Sequence, residues 1–262
     1  MKTCLFAFCF LGLHLSLFCQ DLQDSLGKYS YLVQIDKRCE KTQATGSFVR
    51  YQQRLFFVTA AHCLTGWDPF AMKPIENFPD TIFIRLSNDT SQLRYLPLPV
   101  AGFKKATRPF NLFEAPDVFV VEIKNAKKYK VNSIEKFFEE EVPCEKATEV
   151  VVAGYPNEED SSDYYKVRQQ PFTLGSDVDD TYCIYPYMPD IKLYDRLHYY
   201  TSFKDNITSS GLSGAPVYLI TDDATIVFGG IYIGGLYERS GKGMIVRAEY
   251  VINKILARIF ND

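Results

Sequence analysis

The stretch Val58-Thr59-Ala60-Ala61-His62-Cys63 decides the reading of this chain. It closes the run Arg54-Leu55-Phe56-Phe57-Val58-Thr59, whose aromatic and β-branched residues predict a strand. A histidine set directly after a strand is held by a rigid element, which suits a general base. The plainer reading is a hydrogen-bonded histidine at a strand end, and this stretch alone does not separate the two.

Working outward, the second informative stretch is Thr208-Ser209-Ser210-Gly211-Leu212-Ser213-Gly214-Ala215-Pro216. Ser213 stands close to glycines on both sides, so the chain can turn sharply and expose a hydroxyl beside backbone N–H groups. Acyl transfer needs that pairing of a nucleophile with donors aimed at the developing oxyanion. Gly-x-Ser-Gly also occurs in ordinary turns, so its weight comes from its neighbours. A third candidate is Asp117, which opens Asp117-Val118-Phe119-Val120-Val121 after Ala115-Pro116. Alone it reads as a turn residue. Beside a histidine, a carboxylate orients the imidazole and stabilises its charged form.

Histidine is scarce. His14 falls in the apolar leader, which leaves His62 and His198. No His-rich zinc site can be built from two histidines, and no Cys-x-x-Cys or His-x-x-x-His spacing occurs. No metal and no cofactor is expected. His198 lies in Arg196-Leu197-His198-Tyr199-Tyr200 and reads as structural or surface-lying. Both histidines precede Ser213, which excludes the Ser, acid, His order of an α/β-hydrolase.

The 262 residues allow one large domain or two small ones, and 47% hydrophobic content supplies a core. The formal net charge of -3 gives no sign of nucleic-acid binding. Lys2 followed by the apolar run Leu5 to Phe18 reads as a secretory leader over residues 1–19, cleaved near Cys19-Gln20. Lipid attachment at Cys19 is the lesser alternative, since Phe18 does not fit a standard site. No second run is long and apolar enough to span a bilayer. The mature chain is expected to be secreted or periplasmic.

Four cysteines lie beyond the leader: Cys39, Cys63, Cys144 and Cys183. An even count in an exported chain is compatible with disulfides. Three pairings are open, with Cys39–Cys63 and Cys144–Cys183 preferred. Asn88-Asp89-Thr90 and Asn206-Ile207-Thr208 are glycosylation sequons.

About six short strands are expected before residue 125. They are followed by a charged linker at about 126–147, with a helical turn near residues 133–140. A second strand set is expected at about 148–246. Val251, Ile252, Ile255, Leu256 and Ile259 recur at helical spacing and predict a terminal helix over about 248–260. Leu64 to Asp80, with Gly66, Pro69, Pro74 and Pro79, is expected to be a long loop.

Taken together, Thr59-Ala60-Ala61-His62-Cys63, Asp117-Val118-Phe119-Val120 and Gly211-Leu212-Ser213-Gly214-Ala215-Pro216 resemble the chymotrypsin/trypsin-like serine peptidases. The resemblance runs from about Tyr29 to the terminal helix. It implies an all-β fold of two six-stranded antiparallel barrels, the N-terminal one at about 27–125, with the site in the cleft between them. It implies that His62 is the base, Asp117 its orienter and Ser213 the nucleophile. The N–H groups of Gly211 and Ser213 would form the oxyanion hole. The family's bridge across the histidine loop would map to Cys63 and Cys39. The substrate would be a protein or peptide, its pocket built by Ile207, Thr208, Tyr232, Ile233 and Gly234.

Two departures bear on function. Leu212 stands where digestive members carry an aspartate that pairs with a freed N-terminus, so no activation by that ion pair is expected. Ile207 stands where trypsin-like specificity needs an acid, and Ile233 would narrow the pocket, which together imply a neutral or apolar P1 residue. The contrasting reading is a latent or inactive homologue that serves as an extracellular binding protein.

Overall fold

The computed structural model describes residues 25–34, 43–68, 72–87, 93–106, 116–138, 147–156, 158–159, 165–166, 172–177, 198–201, 211–235 and 243–260. The leader, Cys39, Cys144, Cys183, Ile207, Thr208 and both sequons lie outside the described residues.

The N-terminal half supplies β1 (Ser30–Gln34), β2 (Gln43–Tyr51), β3 (Arg54–Thr59), the two-residue pair β4 (Trp67–Asp68) and β5 (Lys73–Pro74), β6 (Thr81–Arg85), β7 (Tyr95–Pro99) and β8 (Phe119–Glu122). Its main sheet has the order β7-β6-β1-β2-β3-β8. The C-terminal half supplies β9 (Ala147–Gly154), the short pair β10 (Glu158–Glu159) and β11 (Tyr165–Lys166), β12 (Phe172–Asp177), β13 (His198–Thr201), β14 (Pro216–Thr221), β15 (Ile226–Gly235) and β16 (Gly243–Arg247). These form a second six-stranded sheet in the order β12-β9-β14-β15-β16-β13. All pairings within both sheets are antiparallel. The architecture is the expected all-β pair of barrels.

The described residues also form the α-helices α1 (His62–Thr65), α2 (Ala101–Ala106) and α3 (Ala248–Phe260). The α3 bounds agree with the apolar periodicity, and Val251 and Ile255 are its fully buried residues. The segment expected as a plain loop after His62 instead holds α1 and the β4–β5 pair. Gly66, with φ of 68°, ends α1 in the left-handed conformation.

β3 and β9 explain how the halves meet. A strand with one face in water alternates buried and exposed residues. β3 is buried at five of its six positions, and β9 at its last five. Both faces are therefore covered. One core cluster contains Phe48, Phe57 and Val58 from the first sheet together with Ala153, Tyr218 and Ile231 from the second. Phe48 and Phe57 meet at 5.1 Å between ring centres, and burying each such ring contributes about 2 to 3 kcal/mol. Polar bonds cross the same boundary: Ser30 Oγ donates to the Ala153 carbonyl at 2.7 Å.

Candidate active site

Asp117 and His62 are brought together by neighbouring strands. β3 and β8 pair with Thr59 opposite Phe119, so His62 after one strand faces Asp117 before the other. The Ala61 N–H donates to the Asp117 carbonyl at 3.2 Å. The His62 N–H donates to Asp117 Oδ1 at 2.9 Å, and His62 Nδ1 lies 2.5 Å from Oδ2. Asp117 is fully buried, while the His62 side chain keeps 16% exposure. An ionised carboxylate only accepts hydrogen bonds, so it fixes the proton on Nδ1 and leaves Nε2 as the basic nitrogen of the neutral ring.

Burial draws the His62 pKa down, but the adjoining Cys63 and the Asp117 carboxylate together outweigh it. The imidazole is left well above its ordinary 6.5. Lys254, from α3, donates to the Val118 carbonyl at 2.5 Å. Lys254 is exposed overall, yet burial of its ammonium end lowers its pKa, opposed by the attraction of Asp117.

Ser213 belongs to the turn before β14. The Ala215 N–H donates to the Leu212 carbonyl at 2.8 Å, which closes the turn around it. Gly211 and Gly214 have φ of 87° and 89°, in the region that favours glycine. A Cβ on Gly214 would lie 2.0 Å from both the Thr45 carbonyl oxygen and Thr59 Oγ1. The serine turn thus lies directly on the N-terminal sheet.

Thr45, on β2, ties that turn down. Its N–H donates to the Ser213 carbonyl at 2.9 Å. Its Oγ1 donates to the Gly211 carbonyl at 2.9 Å and accepts from the Tyr155 N–H at 3.0 Å. Its carbonyl accepts from Thr59 Oγ1 at 2.6 Å. Ser213 is partly exposed, and its carbonyl also receives the Cys63 thiol at 3.7 Å. Among the described residues, Ser213 Oγ makes no hydrogen bond to His62, and the N–H groups of Gly211 and Ser213 donate to no protein acceptor. The sequence reading missed Thr45, Thr59 and Lys254.

Two expectations are corrected. Cys63 is a free, buried thiol, so the Cys39–Cys63 bridge is not formed. Its sulfur is turned to the Ser213 carbonyl instead. Ile233 does not narrow a pocket. It is fully buried in the core cluster with Ile231 and Met244. Ile231 and Ile233 share this cluster while Tyr232 between them packs in a second one, so ordinary alternation along β15 carries Ile233 inward. The register shift against β16, a bulge, falls between Tyr232, opposite Ile245, and Gly234, opposite Met244. Tyr232 is likewise fully buried, and its carbonyl accepts the Gly214 N–H at 2.6 Å. Gly234 follows the bulge with φ of 116°. His198 begins β13, opposite Val246 of β16.

The fold is that of the trypsin-like serine proteases. The scabies mite inactivated protease paralogue S-D1 superposes with a TM-score of 0.55 at 17% identity, over 90% of this chain and 94% of its own. Granzyme C (GrC) gives 0.53 at 14% identity, over 90% and 96%. No protein-family profile and no curated protein matches the chain. At these identities the likeness is one of fold.

Proposed function

We propose that the protein is an exported serine endopeptidase. Ser213 Oγ attacks the scissile carbonyl while His62 Nε2 takes its proton. The bond to the leaving amine breaks as His62 returns that proton. Water then enters, activated by the same imidazole, and releases the acyl group from Ser213. Asp117 holds the Nδ1 proton and stabilises the imidazolium. The N–H groups of Gly211 and Ser213 receive the oxyanion, each contributing about 3 kcal/mol to transition-state stabilisation.

The observation that carries this reading is the double grip of a fully buried Asp117 on His62, with contacts of 2.9 and 2.5 Å. A structural histidine at a strand end needs neither a buried counter-charge nor a partly exposed ring. The test is cleavage of a mixed peptide library by the purified protein. Specific cleavage that disappears in Ser213→Ala supports the reading, and equal cleavage by both proteins contradicts it.

One observation favours a second reading. The scabies mite neighbour is an inactivated paralogue with the same fold. On this reading the chain is a binding protein whose catalytic geometry is unused, and Ser213→Ala changes nothing measurable.

A further inference from the structure

Two adjoining cavities lie on the N-terminal barrel, along β1 and the β6–β7 hairpin. One, of about 370 Å³, is bordered by Lys28, Tyr31, Arg85, Lys130 and Asn132. The other, of about 710 Å³, is bordered by Arg94, Tyr95, Lys128, Tyr129 and Lys130. They share Leu86, Ser87 and Lys130, so they form one groove. Neither is bordered by Asp117, His62 or Ser213. Strands β6 and β7 stand at the other end of the sheet order from β8, which Asp117 precedes.

Among the described residues, five cations border this groove and no carboxylate does. Among the described residues, Lys28, Arg94, Lys128 and Lys130 form no ion pair. Arg85 lies at the base with 2% exposure, its guanidinium 5.4 Å from the Tyr155 ring centre. A concentration of positive charge in a chain of net charge -3 is a strong local asymmetry. Such a field attracts anions and speeds their encounter.

We propose that this groove binds an acidic peptide segment with interleaved apolar residues. The cations are not continuous: Leu86, Tyr95, Tyr129 and Val131 stand among them. A sulfated glycan presents charge and hydroxyls and has no use for the aliphatic groups. A peptide that alternates carboxylates with apolar side chains satisfies both kinds of surface. Tyr31 and Asn132 stiffen one wall, since the Asn132 N–H donates to the Tyr31 hydroxyl at 2.7 Å. The binding does not depend on catalysis at Ser213.

The experiment uses the full-length chain as Ser213→Ala, so that no peptide is consumed. The probe is the fluorescein-labelled octapeptide Glu-Glu-Phe-Glu-Glu-Leu-Glu-Glu, followed by fluorescence anisotropy, with its Gln counterpart beside it. Saturable binding is expected, weakened at least tenfold by K128E/K130E or by exchange of Glu for Gln in the peptide. Arg94→Gln weakens it several-fold, and Lys73→Glu, on β5, leaves it unchanged. Unaltered thermal unfolding establishes that each variant is folded. No saturable binding would overturn the proposal, as would equal weakening by Lys73→Glu. Tighter binding of a sulfated glycan or of oligothymidylate than of the peptide would overturn the choice of partner.

Discussion

Thr45 holds Ser213 from across the barrel boundary. Its N–H donates 2.9 Å to the Ser213 carbonyl, and its hydroxyl bonds both Gly211 and Tyr155. Thr45→Val keeps the shape and the backbone bond but removes the hydroxyl. The Gly211 carbonyl and the Tyr155 N–H are then left buried without that partner. A buried orphaned polar group costs about 1–3 kcal/mol. Denaturant unfolding is expected to show destabilisation of about that size, and kcat to fall as Gly211 loosens.

Gly214→Ala tests the same contact sterically. The new methyl would overlap the Thr45 carbonyl and Thr59 Oγ1 at a φ of 89°. The serine turn must move, so kcat/KM should fall by more than about 100-fold, equivalent to about 2.7 kcal/mol. Stability should fall as well. Gly214→Ala with wild-type kinetics would refute the seating of the turn.

The pH profile follows from His62. Its pKa is raised above 6.5, and catalysis needs the neutral ring, so kcat/KM should begin to fall on acidification while the pH is still above 6.5. The sign for stability is the reverse. A raised folded-state pKa stabilises the fold below the unfolded value of about 6.5, and that contribution is lost as pH rises through the folded value. Asp117→Asn removes the counter-charge. It should lower kcat by about 10⁴-fold, as the wrong tautomer does in a triad, and move the acid limb down.

Lys254 acts through Asp117. It fixes the Val118 carbonyl at 2.5 Å and places a cation near the carboxylate. At the far end of β8, Arg54 bonds Glu122 at 2.6 and 2.9 Å and reaches the Arg258 carbonyl of α3 at 3.4 Å. The terminal helix therefore clasps β8 near both ends. Lys254→Met should lower kcat about tenfold, equivalent to ~1.4 kcal/mol, and move the acid limb up, because a cation opposing His62 protonation is gone. Lys254→Arg should restore both. A loss of stability with an unmoved acid limb would make Lys254 merely structural.

The state of Cys63 is open to direct mapping. Alkylation of the denatured, unreduced protein should modify Cys63, because it is a free thiol. A disulfide-linked peptide containing Cys39 and Cys63 would contradict the structure.

The elements legible in the sequence are those with local patterns. α3 is written in its apolar spacing, and β3 in its unbroken run of large side chains. β16 has no such local mark: Gly243–Arg247 is short and adjoins the helix, and it becomes a strand only by pairing with β15 and β13. α2 spans six residues, too few for a helical period to show. The role of Thr45 is invisible because the partners of its hydroxyl, Gly211 and Tyr155, lie more than 100 residues away. The resemblance places Ile233 on a pocket wall, whereas alternation along β15 sends it into the core beside Ile231. The cysteine pairing rested on an even count, which constrains parity and not distance.

The central claim is that Ser213 is an activated nucleophile. A fluorophosphonate reagent followed by peptide mass spectrometry tests it most directly. The account predicts a stoichiometric adduct on Ser213 in the folded protein, absent from Ser213→Ala and strongly reduced in His62→Ala. Folded protein with no adduct on Ser213, or with equal labelling after His62→Ala, would contradict it.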